Sequence, residues 1–349
     1  MVRAGSDLPV TGQTACYDAG GSSISCSGTG QDGAIQHGIS WPSPRFTDNS
    51  NGTVTDNLTG LMWEKRPGGG NDGTGAAAEK TWSGALDYAS ALALGTHSDW
   101  RLPNVIELDS LFNGGVVSTG DWLESFFFEN VNDGFYWAST SSVPSPEKAL
   151  GADFHYANRI QARNKTGSGY AWAVRDSISG TISLRKTGQT SCHDSSGSTI
   201  VCAGTGQDGE VQAGISWVDP RFSTFGDDII VDNLTGLVWQ KQPAGDAYTW
   251  INALLYIDDW SCGGFSDWRL PNRNELRTLV HYGVVSNTTW LSDEGFSSVL
   301  DGFYYSTTTL LENGSYIYAM KMSDGTDRDC GKEESNAYFT WGIRGSIWE

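Results

Sequence analysis

Sliding the chain along itself by 176 positions lays Cys16 on Cys192, Cys26 on Cys202, GTGQDG at 28 to 33 on 204 to 209, GISW at 38 to 41 on 214 to 217, and DNLTGL at 56 to 61 on 232 to 237. After a short deletion the offset becomes 168: DWRLPN at 99 to 104 meets 267 to 272, GVVS at 115 to 118 meets 283 to 286, and DGFY at 133 to 136 meets 301 to 304. Matches that keep their order and spacing over this length mark an internal repeat, not a biased composition. The last, Trp172-Ala173-Val174-Arg175 against Trp341-Gly342-Ile343-Arg344, closes each copy. The fold must therefore be built twice, once over residues 1–176 and again over 187–349, with the boundary near 176 to 186.

A chain of 349 residues suits two domains, each long enough to bury its own core. With 15 Trp, 44 Gly and only 18% charged residues, both copies read as globular and rich in turns. Charge narrows the partners. The first 176 residues hold 11 Lys/Arg against 19 Asp/Glu and the remainder 11 against 22, with no basic cluster, which argues against nucleic acid and anionic membranes. A cationic or neutral polar partner fits better. No stretch is apolar enough to span a bilayer, so no direct membrane insertion is expected. Met1 to Asp7 lacks the apolar core of a signal peptide; if the chain is exported, the expected route is a leader already removed or another path such as assembly into a virus particle.

Each copy opens with Cys, nine residues rich in Gly and Ser, then Cys, which reads as a hairpin stapled by a local disulfide, Cys16 to Cys26 and Cys192 to Cys202. The spacing is too wide for a zinc knuckle. Cys262 and Cys330 have no counterparts in the first copy, and their joint absence there predicts a third bridge between them, leaving no free thiol for nucleophilic chemistry.

Trp82, Ala85, Leu86, Ala89, Leu92 and Ala93 follow helical spacing, as do Trp250, Ala253, Leu254 and Ile257, with Thr81 and Thr249 placed as caps. Asn104 with Glu107, and Asn272 with Glu275, form capping boxes for a second helix. The rest reads as short strands between Gly, Asn and Asp turns, Gly60 to Trp63 and Phe135 to Ser139 among them. The expected fold class is α+β, each copy carrying two helices and a curled antiparallel sheet.

The series from DNSNGTVTDNLTGLMW (48 to 63) through DWRLPN, DGFYW and the closing Trp-x-Val-Arg resembles the family named for the C-terminal domain of Legionella collagen-like adhesin. That resemblance covers nearly all of both copies and implies two tandem C-type lectin-like domains with an extracellular role in adhesion or ligand binding, at a cell or virion surface. RLP before a helix is also similar to formylglycine-generating enzymes, whose cysteines stand close together late in the domain; here the first copy has none there and the second only Cys330. Domains of this type also serve as variable proteins of diversity-generating retroelements, whose mutated cassette lies near the C-terminus.

The segment 310 to 341 differs most from its first-copy counterpart, 142 to 172, and is rich in the Tyr, Ser, Asn, Asp and Arg that paratopes use. The expected ligand face is thus Asn313, Ser315, Tyr316, Tyr318, Lys321, Asp324, Asp327, Arg328, Tyr338 and Trp341, with Ile317, Met320 and Met322 inward. Asp99 with Arg101, and Asp267 with Arg269, are expected as structural ion pairs rather than as a catalytic acid and cation. Repeated Trp63/Trp239, Trp122/Trp290 and Trp172 are expected in the core. Asp48 to Gly52 reads as a tight turn, not a calcium loop, and the five His make no metal-binding spacing and are expected at the surface. No enzyme activity, cofactor or metal is expected; the favoured function is recognition of a protein or glycan on another surface by the second copy, with the first as scaffold or stalk. The alternatives are a glycan-binding adhesin of fixed specificity and a structural surface protein.

Overall fold

The computed structural model describes residues 8–68, 78–132, 134–154, 159–245, 248–334 and 338–345. The first copy runs β1 (Cys16–Tyr17), β2 (Ser23–Ile24), α1 (Asp32–Ile35), β3 (Phe46–Asp48), β4 (Thr53–Asp56), β5 (Leu61–Glu64), α2 (Trp82–Ala91), α3 (Val105–Asp109), α4 (Thr119–Glu124), β6 (Phe135–Ser141), β7 (Lys148–Asp153), β8 (Arg159–Asn164) and β9 (Val174–Asp176). The second repeats it as β10 (Cys192–His193), β11 (Thr199–Ile200), α5 (Asp208–Val211), β12 (Phe222–Phe225), β13 (Ile229–Asp232), β14 (Val238–Gln240), α6 (Trp250–Asp258), α7 (Arg273–Thr278), α8 (Asn287–Asp293), β15 (Phe303–Thr309), β16 (Tyr316–Lys321), β17 (Asp327–Gly331), β18 (Tyr338–Phe339) and β19 (Ile343–Arg344).

The local signals act as expected where a side chain satisfies the free N–H groups of a first turn. Thr81 accepts from the Gly84 N–H and Thr249 from that of Asn252. Both capping boxes are complete. Each copy carries four helices among the described residues rather than two: α1 and α5 are single turns, and α4 and α8, capped by Ser118 and Ser286, are too short to show a helical period. Instead of one curled sheet, each copy has a hairpin and two sheets, ordered β3-β4-β5-β9 and β6-β7-β8 in the first, β12-β13-β14-β19 and β17-β16-β15-β18 in the second. All pairings are antiparallel except β15 with β18. Strand β6 is buried along its whole length because Tyr136 and Ala138 face one core while Phe135 and Trp137 face another.

That first core is continuous across the two copies: Phe112, Phe154 and Trp172 belong to the same cluster as Leu279, Tyr304 and Trp341. The stapled hairpins, outside that core, are also exchanged between the copies. The buried Asp32 carboxylate, in the first hairpin segment, accepts from Thr308 of the second copy at 2.7 Å, and Asp208 accepts from Thr140 of the first at 2.7 Å. The Gln13 amide closes a two-bond pair with the Thr309 backbone, both bonds 2.8 Å, and Gln189 does the same with Ser141 at 3.0 and 2.8 Å. The Lys332 ammonium donates to the Tyr17 and Asp18 carbonyls, and Lys165 to those of His193 and Asp194. These contacts of one hairpin on the opposite copy are reciprocal, the pattern of an isologous interface made within one chain, and His37, which meets Glu275 at 2.8 Å where the second copy has Ala213, departs from it.

The Cys16–Cys26 and Cys192–Cys202 disulfides are present. The third expected bridge is not: Cys262 and Cys330 are free thiols. Cys330 is buried in β17 against Tyr305 and Tyr338, and Cys262 sits beside Asp228 in the loop after α6, so each thiol is engaged in its own surroundings.

Candidate ligand-binding surface

The ten residues of the expected face do not share one. Four are core residues: Tyr318 is 3% exposed, Asp327 8%, Tyr338 2% and Trp341 0%. Trp341 packs among Trp239, Phe296 and Tyr304 with ring centroids 5.3–5.7 Å apart. The Tyr338 hydroxyl donates to Glu334 at 2.9 Å. Tyr318 lies beneath the guanidinium of Arg273. Asp327 accepts from Arg277 at 2.7 Å, from Arg273 at 3.0 Å and from the Ile160 N–H of the first copy. Trp341 and Tyr338 are thus spent on the second copy's own core, and Asp327 on the joint between copies. Ile317, Met320 and Met322 are buried, as expected.

The six remaining residues divide between the two ends of β16. Asn313, Ser315 and Tyr316 stand at the β15–β16 turn, where the Asn313 carboxamide oxygen accepts from the Ser315 hydroxyl at 2.7 Å. At the opposite end Lys321 pairs with Asp324 at 3.3 Å, and the exposed Arg328 guanidinium lies 5.3 Å over the Phe303 ring. Alternation along a strand explains the grouping: Phe303 opposes Lys321, and Arg328 on β17 projects to the same side as Lys321 while Asp327 and Asp329 turn toward the first copy. Lys321, Asp324, Arg328 and the half-buried Phe303 thus form a compact polar surface with an aromatic floor.

The repeated motifs are consumed in bracing. Asp99 does not pair with Arg101; it holds Arg175 through bonds of 2.7 and 3.0 Å, while Arg101 holds the capping-box Glu107. The second copy repeats this with Asp267 on Arg344 and Arg269 on Glu275. Burial by itself would raise the Glu275 carboxyl, but the Arg269 guanidinium outweighs it and holds the group down at about 2. Trp63, Trp172 and Trp239 are fully buried, and Trp122 and Trp290 pack against the shared core. Asp48 to Gly52 forms a tight turn with Ser50 and Gly52 at positive φ. Among the described residues no group of His, Cys, Asp or Glu is placed to hold a metal.

Two histidines are not surface residues. His193 is 6% exposed, and His281 packs edge-on against Trp217 and Trp290, where burial and then the charges of Arg185 and Arg221 push it down to about 4. His155 lies outside the described residues.

One cluster escaped the sequence reading. Asp109 at the end of α3 meets Arg277 of α7 at 2.9 Å and Arg273 at 2.5 Å, and both arginines also hold Asp327, all nearly excluded from water. Residues 109 and 277 occupy the same place in the repeat, as do Val105 and Arg273. A position that is Asp in one copy and Arg in the other was the available signal, since equivalent positions meet where a twofold-like interface crosses itself.

A family model described as the Lcl C-terminal domain matches the chain twice, over residues 52–175 and 228–344. Both matches leave out the exchanged hairpins. No curated protein matches the chain.

Proposed function

Because the chain belongs to the Lcl C-terminal domain family, we propose that it is a non-catalytic ligand-binding protein of a cell or virion surface, with the Lys321, Asp324, Arg328 and Phe303 surface as its recognition site. The observation that carries this reading is the difference between the copies. The scaffold is largely repeated, and so is an arginine over the aromatic floor, Arg163 over Phe135 in the first copy, whereas the Lys321–Asp324 pair sets the second copy apart, Lys321 standing opposite Phe303 where the first copy has Asp153 opposite Phe135. The favoured ligand is a glycan or a protein segment whose polar groups meet Lys321, Asp324 and Arg328. Two disulfides suit a chain that folds in an oxidising compartment. Among the described residues no helix is long and apolar enough to cross a membrane.

Thiol chemistry is disfavoured by the surroundings of the two free cysteines. Burial pushes Cys330 up to about 12 and, with Asp228 beside it, raises Cys262 as well, so neither is an activated thiolate. Diversification by a retroelement, on this reading, is confined to the six solvent-reaching positions, because variation at Tyr318, Asp327, Tyr338 or Trp341 would break the core.

The test is a screen of the chain on arrays of glycans and of surface proteins, repeated with Lys321→Ala/Arg328→Ala and with Asn313→Ala/Ser315→Ala/Tyr316→Ala. The first variant is expected to weaken binding of the recognised ligand at least tenfold and the second less than twofold, since a handful of central contacts carries most of a binding energy. Equal effects, or an effect of the second alone, would remove the site from this surface.

A further inference from the structure

Where the two copies meet, helices α3 and α7 leave a cavity of about 80 Å³. A single water needs on the order of 10–15 Å³ of such space, so the cavity has room for a small organic molecule. Its walls are largely apolar, with Trp41, Ile106 and Phe112 from the first copy and Leu184, Ile215 and Leu234 from the second. Ser183 and Ile215, both exposed, form its rim.

Into this apolar lining the fold places one cation too many. The other buried arginines each have a carboxylate: Arg45 holds Asp56, Arg221 holds Asp232, Arg344 holds Asp267, and Arg273 and Arg277 share Asp109 and Asp327. Arg185 lines the cavity, is 8% exposed, and donates only to backbone carbonyls among the described residues, those of Arg277 at 2.5 Å and of Lys186 and Val280 at 3.4 Å. Asp232, whose field reaches it, is already gripped by Arg221 through two bonds. Burial, reinforced by the charge of Arg221, pushes Arg185 down to about 9. A buried charge without a counter-ion is costly and calls for one. Position 185 of the second copy corresponds to Pro9 of the first, so this cation has no repeat-imposed reason to be there.

We propose that the cavity between the copies binds a small monocarboxylate, its carboxylate neutralising Arg185 and its aliphatic or aromatic body resting on the apolar wall. A single charge is specified because Asp109 also lines the cavity and would repel a second anionic group. The site is separate from the Lys321 and Arg328 surface and stands or falls without it.

Calorimetric titration of the full chain with octanoate and with 1-octanol at pH 7 tests this. Octanoate should bind at least tenfold more tightly than 1-octanol. Arg185→Met should bring the two within twofold of each other, and Ile215→Trp at the rim should weaken both at least tenfold. Equal affinity of the parental chain for the two probes would overturn the proposal, as would the absence of octanoate binding or undiminished octanoate binding by a folded Arg185→Met. Should Arg185→Met fail to fold, Ile215→Trp decides, and unchanged octanoate affinity in that variant rejects the site.

Discussion

Asp109→Asn is expected to destabilise the protein by about 3–5 kcal/mol, the usual cost of breaking a buried ion pair from one side. The loss leaves Arg273 and Arg277 with a single carboxylate between them, in a place where burial alone would lower both guanidinium pKa values and Asp109 and Asp327 are the foremost groups holding them raised. If the cost is the stranded charge rather than the lost side chain, adding Arg277→Met to Asp109→Asn should recover roughly 2 kcal/mol of it, a coupling of the size found for residues in one network. Urea denaturation midpoints of the two single variants and the double provide the check. Additive losses would mean that the cluster contributes only packing.

The second large effect is on pH dependence. Asp32 and Asp208 hold the exchanged hairpins, yet burial raises each from 3.8 to about 6 despite two threonine hydroxyls donating to each. Between those values the native state binds more protons than the unfolded chain, so stability falls as pH rises from about 4 to about 6 and stays down above it. At about 1.4 kcal/mol per pKa unit, each carboxyl costs roughly 2–3 kcal/mol at neutral pH. Glu275 works in the opposite direction: lowered from 4.5 to about 2, it stabilises above that window and its contribution is lost on further acidification. The stability optimum should therefore lie near pH 4 to 5. Asp32→Asn and Asp208→Asn should each add roughly 2 kcal/mol at pH 7 and nothing at pH 4, because the amide oxygen still accepts from the threonines and no charge is buried. Thermal unfolding across this range measures it. A loss of stability at pH 7 in either variant would mean that the ionised carboxylate is a net benefit.

Features set by near neighbours in sequence were legible before the structure. The Cys-x9-Cys staples, the threonine caps, both Asn-x-x-Glu boxes and the strands at 61 and 135 each follow from groups a few residues apart. Trp63, Trp172 and Trp239 were legible as core because both copies carry them. Helices α4 and α8 were not, since six and seven residues give too little periodicity.

The hairpin exchange was hidden for a different reason. Thr140 and Thr308 offer each hairpin the same hydroxyl, so a repeated sequence cannot say whether a hairpin packs on its own copy or on the other. The meeting of the copies at α3, α7 and β8 accounts for part of the failure at the ligand face: Asp327 has paratope-like chemistry, but it holds Arg273, Arg277 and the Ile160 N–H there, with Tyr318 under Arg273. Composition alone could not separate an internal interface from an external one, because both draw on the same side chains.

The measurement that bears most directly on the exchanged architecture is amide hydrogen exchange in Thr308→Val and Thr140→Val, read peptide by peptide. Local opening raises exchange where a tertiary contact has been removed. Thr308→Val, a change in the second copy, is expected to speed exchange of residues 31–36 in the first hairpin segment and to leave 207–212 protected, while Thr140→Val does the reverse. If Thr308→Val instead loosens 207–212 and spares 31–36, each hairpin packs on its own copy and the exchanged architecture is wrong.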